Sequence, residues 1–191
     1  MSENAVLSVS TSRLVFIDAG VDHLPQLLSG IKPGSRVQVL AAGQDGVEQI
    51  SQVLAGQAVE SIAIVAHGVP GGLRLGSSEL GLATLGRYSP QLSQWFLGVT
   101  APRIDLYGCH VAAGDAGAEF VAQLQRLTGA SIAASPHVIG DPTRGGTWEL
   151  EGAPVASVPF TSTAMAEYAG VLAGDDFENA TDITDDNFGI G

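Results

Sequence analysis

A three-layer α/β sandwich, with a mostly parallel sheet flanked by helices on both faces, is the fold class this sequence predicts on three observations. Apolar runs of strand length recur along the chain, rich in Val, Ile and Leu without strict alternation, as in strands buried on both faces. Between them lie segments whose apolar residues fall at i, i+3, i+4 and i+7, the spacing of one helix face. Strand and helix alternate, which calls for crossover connections and hence for parallel strands.

In chain order, the first run is RLVFIDAG (13–20), followed by a helical stripe of Leu24, Leu27, Leu28 and Ile31 with Gly30 as its stop signal. RVQVLAAG (36–43) leads to Asp45 and Glu48, spaced as a capping box, and to a stripe of Val47, Ile50 and Leu54 before Gly56. The third run is SIAIVAHG (61–68). GGLRLGSSELGLATL (71–85) breaks the alternation with short apolar pieces around Gly76-Ser77-Ser78, and reads as a hairpin. Ser89-Pro90 reads as an N-cap and N1 proline opening a helix with Leu92, Trp95, Phe96 and Val99 on its face. RIDLYGCHV (103–111) is the fourth run; Asp115 is the expected cap of a helix bearing Phe120, Val121, Leu124 and Leu127 and ending at Gly129. ASIAASP (130–136) is the fifth run, and GGTWELEGAPVAS (145–157) reads as a short strand or hairpin closing one edge.

Composition narrows the function. The chain has 191 residues, enough for one domain with a real core, and its net charge of −12 with only eight Lys and Arg argues against a phosphate-backbone partner. No apolar run reaches membrane-spanning length, and MSENAVLSVSTS lacks the basic start and long apolar middle of a secretory signal. A single cysteine excludes an internal disulfide and a cysteine-based zinc cluster, and no cofactor is expected. From Gly174 onward six acidic residues and no Lys or Arg supply half the net charge, so the expected organisation is an N-terminal extension (1–12), one domain (13–172) and an acidic linker or the start of a following repeat (173–191).

Two of the strands end in chemically loaded turns, IVAHGVPGG with His67 and LYGCHVAAG with Cys109. Parallel strands present their carboxyl ends at one edge, where ligand sites form, so neighbouring strands would bring these two residues side by side. An imidazole beside a thiol makes a thiolate nucleophile and then protonates a leaving amine, so the pairing predicts a thiol more acidic than an ordinary one. The backbone amides of Gly68 and Cys109 are candidates for holding a tetrahedral oxyanion. Read singly, a lone Cys is also a small core hydrophobe, and a His-Gly turn is also only a turn. His110 follows Cys109 and should point to the opposite face; it is expected to be structural, as are His23 and His137.

The succession of strand and His-Gly, hairpin, helix, strand and Gly-Cys resembles the caspase-like cysteine peptidases. More closely, IVAHGVPGGLRLG, LYGCHVAAGDAGAEFVAQLQRLTGASIAAS and GGTWELE resemble the DUF4347 domain of very large bacterial surface or secreted repeat proteins, over roughly residues 13 to 160. The resemblance implies His67 as base and Cys109 as nucleophile, with Ala66 standing where a Ser is expected and His110 where an Asn is expected. It also implies a caspase-like fold, and a polypeptide substrate, either the chain's own C-terminal extension or an associated surface protein. Secretion or surface display as part of a larger protein exported without an N-terminal signal peptide, after a cytoplasmic stage, goes with it. Asp18, at the end of the first run, is a candidate carboxylate for a basic P1 side chain, or equally the brace of a loop. Three functions stay open: a His-Cys endopeptidase, an acyl transferase using the same thioester chemistry with an amine acceptor in place of water, or a catalytically inactive module at the N-terminus of a large adhesin.

Overall fold

The computed structural model describes residues 13–155 and 157–174; the expected N-terminal extension and the acidic residues from Asp175 lie outside the described residues. β1 (Leu14–Asp18) is buried along its whole length. The short α1 (Leu24–Ser29) follows, with His23 in the left-handed region at φ 52° before it and a proline in its first turn. β2 (Arg36–Leu40) lies at the sheet edge, and its first residues are exposed, which corrects the expectation of a strand covered on both faces. α2 (Gly46–Leu54) starts where Asp45 accepts hydrogen bonds from the Val47 and Glu48 amides, and it buries Val47, Ile50 and Leu54. Two of the helix's orphan N–H groups are thereby satisfied.

β3 (Ser61–Val65) leads directly into β4 (Gly68–Val69), β5 (Gly72–Leu75) and β6 (Ser78–Gly81), a separate antiparallel sheet built around the expected hairpin. α3 (Leu85–Leu92) opens four residues before Ser89, with Pro90 inside it. The missing N–H of Pro90 forfeits only the bond to Gly86, a residue with open space around it, so the helix keeps its course. β7 (Arg103–Tyr107) precedes α4 (Gly114–Thr128), whose cap is Ala113; Asp115 lies in the first turn, where it still complements the helix dipole without capping it. β8 (Ser131–Ala134), the edge strand β9 (Glu151–Gly152) and α5 (Ser162–Glu167) follow within the described residues.

The main sheet has the order β2-β1-β3-β7-β8-β9, parallel except for β9. One face packs on α2, α3 and α4 through Phe16, Ile50, Ile64, Leu92, Trp95, Phe120 and Leu124. Each such side chain, fully buried, contributes about 1.5–3 kcal/mol. The other face packs on the α1 and α5 side, where Val15, Ile17, Val65, Tyr107, Cys109, Phe160, Tyr168 and Leu172 form a second apolar layer. The result is the three-layer α/β arrangement. Among the described residues no helix is long and apolar enough to cross a membrane.

Candidate active site

The β3–β7 register ends with Val65 opposite Tyr107, and two residues further on stand His67 and Cys109. Ala63, Val65, Tyr107 and Cys109 belong to one apolar cluster, and strand alternation carries His67 to that same face. The two turns meet backbone to backbone. A Cβ at Gly68 would lie 2.5 Å from the Cys109 carbonyl oxygen, and one at Gly108 2.6 Å from Leu73, so side chains at either position would force the pair apart.

His67 is 9% exposed, and its Nε2 lies 2.9 Å from the Gly20 carbonyl oxygen. A carbonyl only accepts, so the neutral ring carries its proton on Nε2 and leaves the Nδ1 lone pair bare. Nδ1 is buried and has no hydrogen-bond partner. Gly20 is held in turn by Asp18, whose Oδ1 accepts from the Gly20 amide at 2.8 Å while Oδ2 accepts from the Gly76 amide. Both oxygens of this buried carboxylate are thus engaged within the chain. Asp18 thus braces the Gly20 and Gly76 turns.

The backbone amides are arranged with equal economy. The Ala66 amide still donates to the Tyr107 carbonyl, and a continued ladder would send the Gly68 amide to the Cys109 carbonyl and the Cys109 amide to the Ala66 carbonyl. The strands part instead. Both amides turn onto one oxygen, the carbonyl of Leu172, at 3.0 Å from Gly68 and 2.9 Å from Cys109. Two N–H groups converging on one carbonyl oxygen is the geometry that holds a developing oxyanion.

Cys109 is fully buried, and its sulfur lies 3.2 Å from the Ile139 amide and 3.5 Å from the Ile139 carbonyl oxygen. Burial pushes the thiol up to about 11, with the backbone at Ile139 and Leu172 pulling the other way. The expectation of an unusually acidic thiol is therefore corrected: with Leu172 in place the sulfur keeps its proton, because a thiolate there would lack solvation. His110 sits in the left-handed region at φ 59°, which suits Asn or Gly better than His, and its Nδ1 lies 3.1 Å from the Pro136 carbonyl oxygen. His137 lies 3.5 Å from Glu151 on the surface. Among the described residues no three His, Cys, Asp or Glu side chains gather as a metal-binding group.

Sequence reasoning named His67, Cys109 and the Gly68 and Cys109 amides at this edge and missed the Gly20, Ile139 and Leu172 backbone groups that meet them. Gly20 stands two residues after Asp18, the spacing of an Asx turn, and that signal was readable. The Leu172 carbonyl and the Ile139 backbone had none, because any residue carries those atoms. No curated protein and no solved structure matches this chain. A family comparison does match, over residues 14–172, with a domain of unknown function, DUF4347. That stretch runs from β1 through the Leu172 carbonyl and takes in every group just described, and the chain belongs to the DUF4347 family.

Proposed function

We propose that this domain is a cysteine endopeptidase of caspase-like type, with Cys109 as nucleophile and His67 as its base. The observation that carries the reading is the bare, buried Nδ1 of His67, on the face and in the register of Cys109, with Nε2 locked on the Gly20 carbonyl. A core histidine that served only packing would be expected to engage both nitrogens, since a buried unpaired acceptor costs about 1–3 kcal/mol. The open acceptor would take the thiol proton once the Cys109 S–H, which here donates to the Ile139 carbonyl oxygen, turns to it. The paired amides of Gly68 and Cys109 supply the place where carbonyl charge would develop. The substrate class is polypeptide, from the longer protein to which the domain belongs or from an associated surface protein. A basic P1 residue would have to share the Asp18 oxygens with the Gly20 and Gly76 amides.

The fully buried thiol favours a second reading, a module at the N-terminus of a large exported adhesin that interacts without catalysis. Turnover separates the two. Fluorogenic peptides with Arg, Lys, Asp or Leu at P1 are offered to the chain and to a Leu172→Gly variant, in which the residue over Cys109 has lost its apolar anchor. Hydrolysis that falls at least about a thousandfold in Cys109→Ala and in His67→Ala supports the peptidase. Turnover that survives Cys109→Ala, or none in either background, gives the place to the interaction module.

A further inference from the structure

The segment that fills the cleft lies in it as a substrate would. Asp141 N donates to Gly170 O at 2.9 Å and Leu172 N to Ile139 O at 2.8 Å, with Gly140 opposite Val171, so residues 170–172 add antiparallel to residues 139–141. Main-chain pairing of this kind is how extended peptides are held on a sheet edge. Leu172 is fully buried in the apolar layer with Cys109, Ile139 and Tyr168, while Val171 and Ala173 are half-buried. The Leu172 carbonyl oxygen receives both the Gly68 and the Cys109 amide, and the Leu172 side chain packs in the same apolar cluster as Cys109. One side chain is anchored, its carbonyl is polarised, and Ala173 on the far side of that bond pairs with Gly68.

From this geometry we infer that the Leu172–Ala173 peptide bond is the domain's substrate in cis, with Leu172 as the P1 residue. The inference rests on the peptidase reading. The Cys109 thiol proton passes to His67 Nδ1 as the sulfur bonds to the Leu172 carbonyl carbon, and the carbonyl electron pair moves onto the oxygen held by the two amides. Collapse of that oxyanion breaks the bond to the Ala173 nitrogen, which takes the proton from Nδ1 and leaves as an amine. Water then adds to the thioester; the carbon–sulfur bond breaks, giving a Leu172 carboxyl group and restoring the thiol. The product end stays anchored by the same ladder, so the first turnover leaves the cleft occupied by its own product. The P1 class is accordingly apolar, and the family match ends at Leu172, the residue at which the cut separates the domain from the acidic segment.

The test is incubation of the whole 191-residue chain at neutral pH, followed by intact mass and sequencing of any new amino terminus. Fragments 1–172 and 173–191, with Ala173 as the new terminus, are expected, and are expected to be absent in Cys109→Ala and in Ala173→Pro. The second variant leaves residues 13–172 unaltered, so a melting curve matching the wild type separates lost cleavage from lost folding. A Cys109-dependent cut elsewhere overturns the assignment of the bond and leaves the peptidase standing. An intact wild-type chain also overturns it, and Cys109-dependent turnover of the fluorogenic peptides then decides whether the peptidase survives alone.

Discussion

Two buried polar clusters share one face of the sheet, and they are built on opposite principles. In the first, Arg13 and Asp105 form an ion pair across the sheet, with the Tyr107 hydroxyl close to Arg13. In the second, at the carboxyl edge, His67 and Cys109 follow the same two inner strands. The ion pair neutralises its own charge, while Arg13 Nε and Nη1 and the Tyr107 hydroxyl are buried without a hydrogen-bond partner. The edge cluster has neutral partners, every donor engaged, and a single bare acceptor on His67. Buried charge must be paired to be tolerated, whereas a buried lone pair costs less and is left where a proton is to be received.

That contrast is broken most forcefully at Asp105. Asp105→Ala leaves the Arg13 guanidinium buried and alone, and a loss of about 3–5 kcal/mol in urea unfolding is expected. Replacing both partners with apolar residues, Arg13→Met with Asp105→Leu, is expected to recover most of it. His67→Ala is expected to cost about 1 kcal/mol, one neutral hydrogen bond, while removing the peptidase activity. Equal destabilisation by Asp105→Ala and His67→Ala would make the edge cluster a second structural pair.

Thiol reactivity sharpens the comparison at the other cluster. With the thiol raised to about 11, an ordinary alkylating agent at neutral pH meets mostly protonated sulfur in a closed site. The thiolate fraction, and with it the iodoacetamide rate, therefore rises about tenfold per pH unit and levels off only above the raised value. Leu172→Gly opens the site and restores contact with solvent, so labelling at pH 7 is expected to quicken by about tenfold or more. Fast labelling of the wild type at pH 7 would show that the 170–172 strand does not close over Cys109 in solution.

The sequence disclosed the sheet because covered strands and helix faces impose periodicities on side chains. It disclosed the edge because His67 and Cys109 end strands whose apolar runs mark them as inner ones. Asp45 was readable for the same reason, since its side chain does what its position requires; it also accepts from Tyr88 at 2.6 Å and so ties α2 to α3. Where tertiary packing overrode local preference, reading failed. Ser89-Pro90 has the chemistry of a helix start, yet the burial of Leu85, Tyr88 and Leu92 on one face draws the start back to Leu85. Asp115 lost the cap to Ala113 because Gly114, at φ 61°, lets the chain turn into the helix two residues earlier. The strand through Leu172 was illegible for a different reason: its part is played by an amide and a carbonyl, and its few apolar letters fit any short edge segment.

The smallest expected effect on turnover is also the finest test of how the edge is held. Asp18 touches neither Cys109 nor Leu172 by hydrogen bond, and acts through Gly20, whose carbonyl fixes the His67 tautomer. Asp18→Asn keeps the size but gives one of the two amide partners, Gly20 or Gly76, a donor in place of an acceptor. The mismatch is expected to cost about 1–3 kcal/mol in thermal or urea unfolding, less than the loss of Asp105. In the Leu172→Gly background, where the cleft is open to added peptides, the loosened Gly20 carbonyl lets the imidazole rotate, so kcat falls severalfold with KM nearly unchanged. A positioning residue leaves the ranking of P1 side chains intact, because it meets the base and not the substrate. Loss of an Arg or Lys preference in Asp18→Asn would reverse this assignment and return the carboxylate to the substrate pocket.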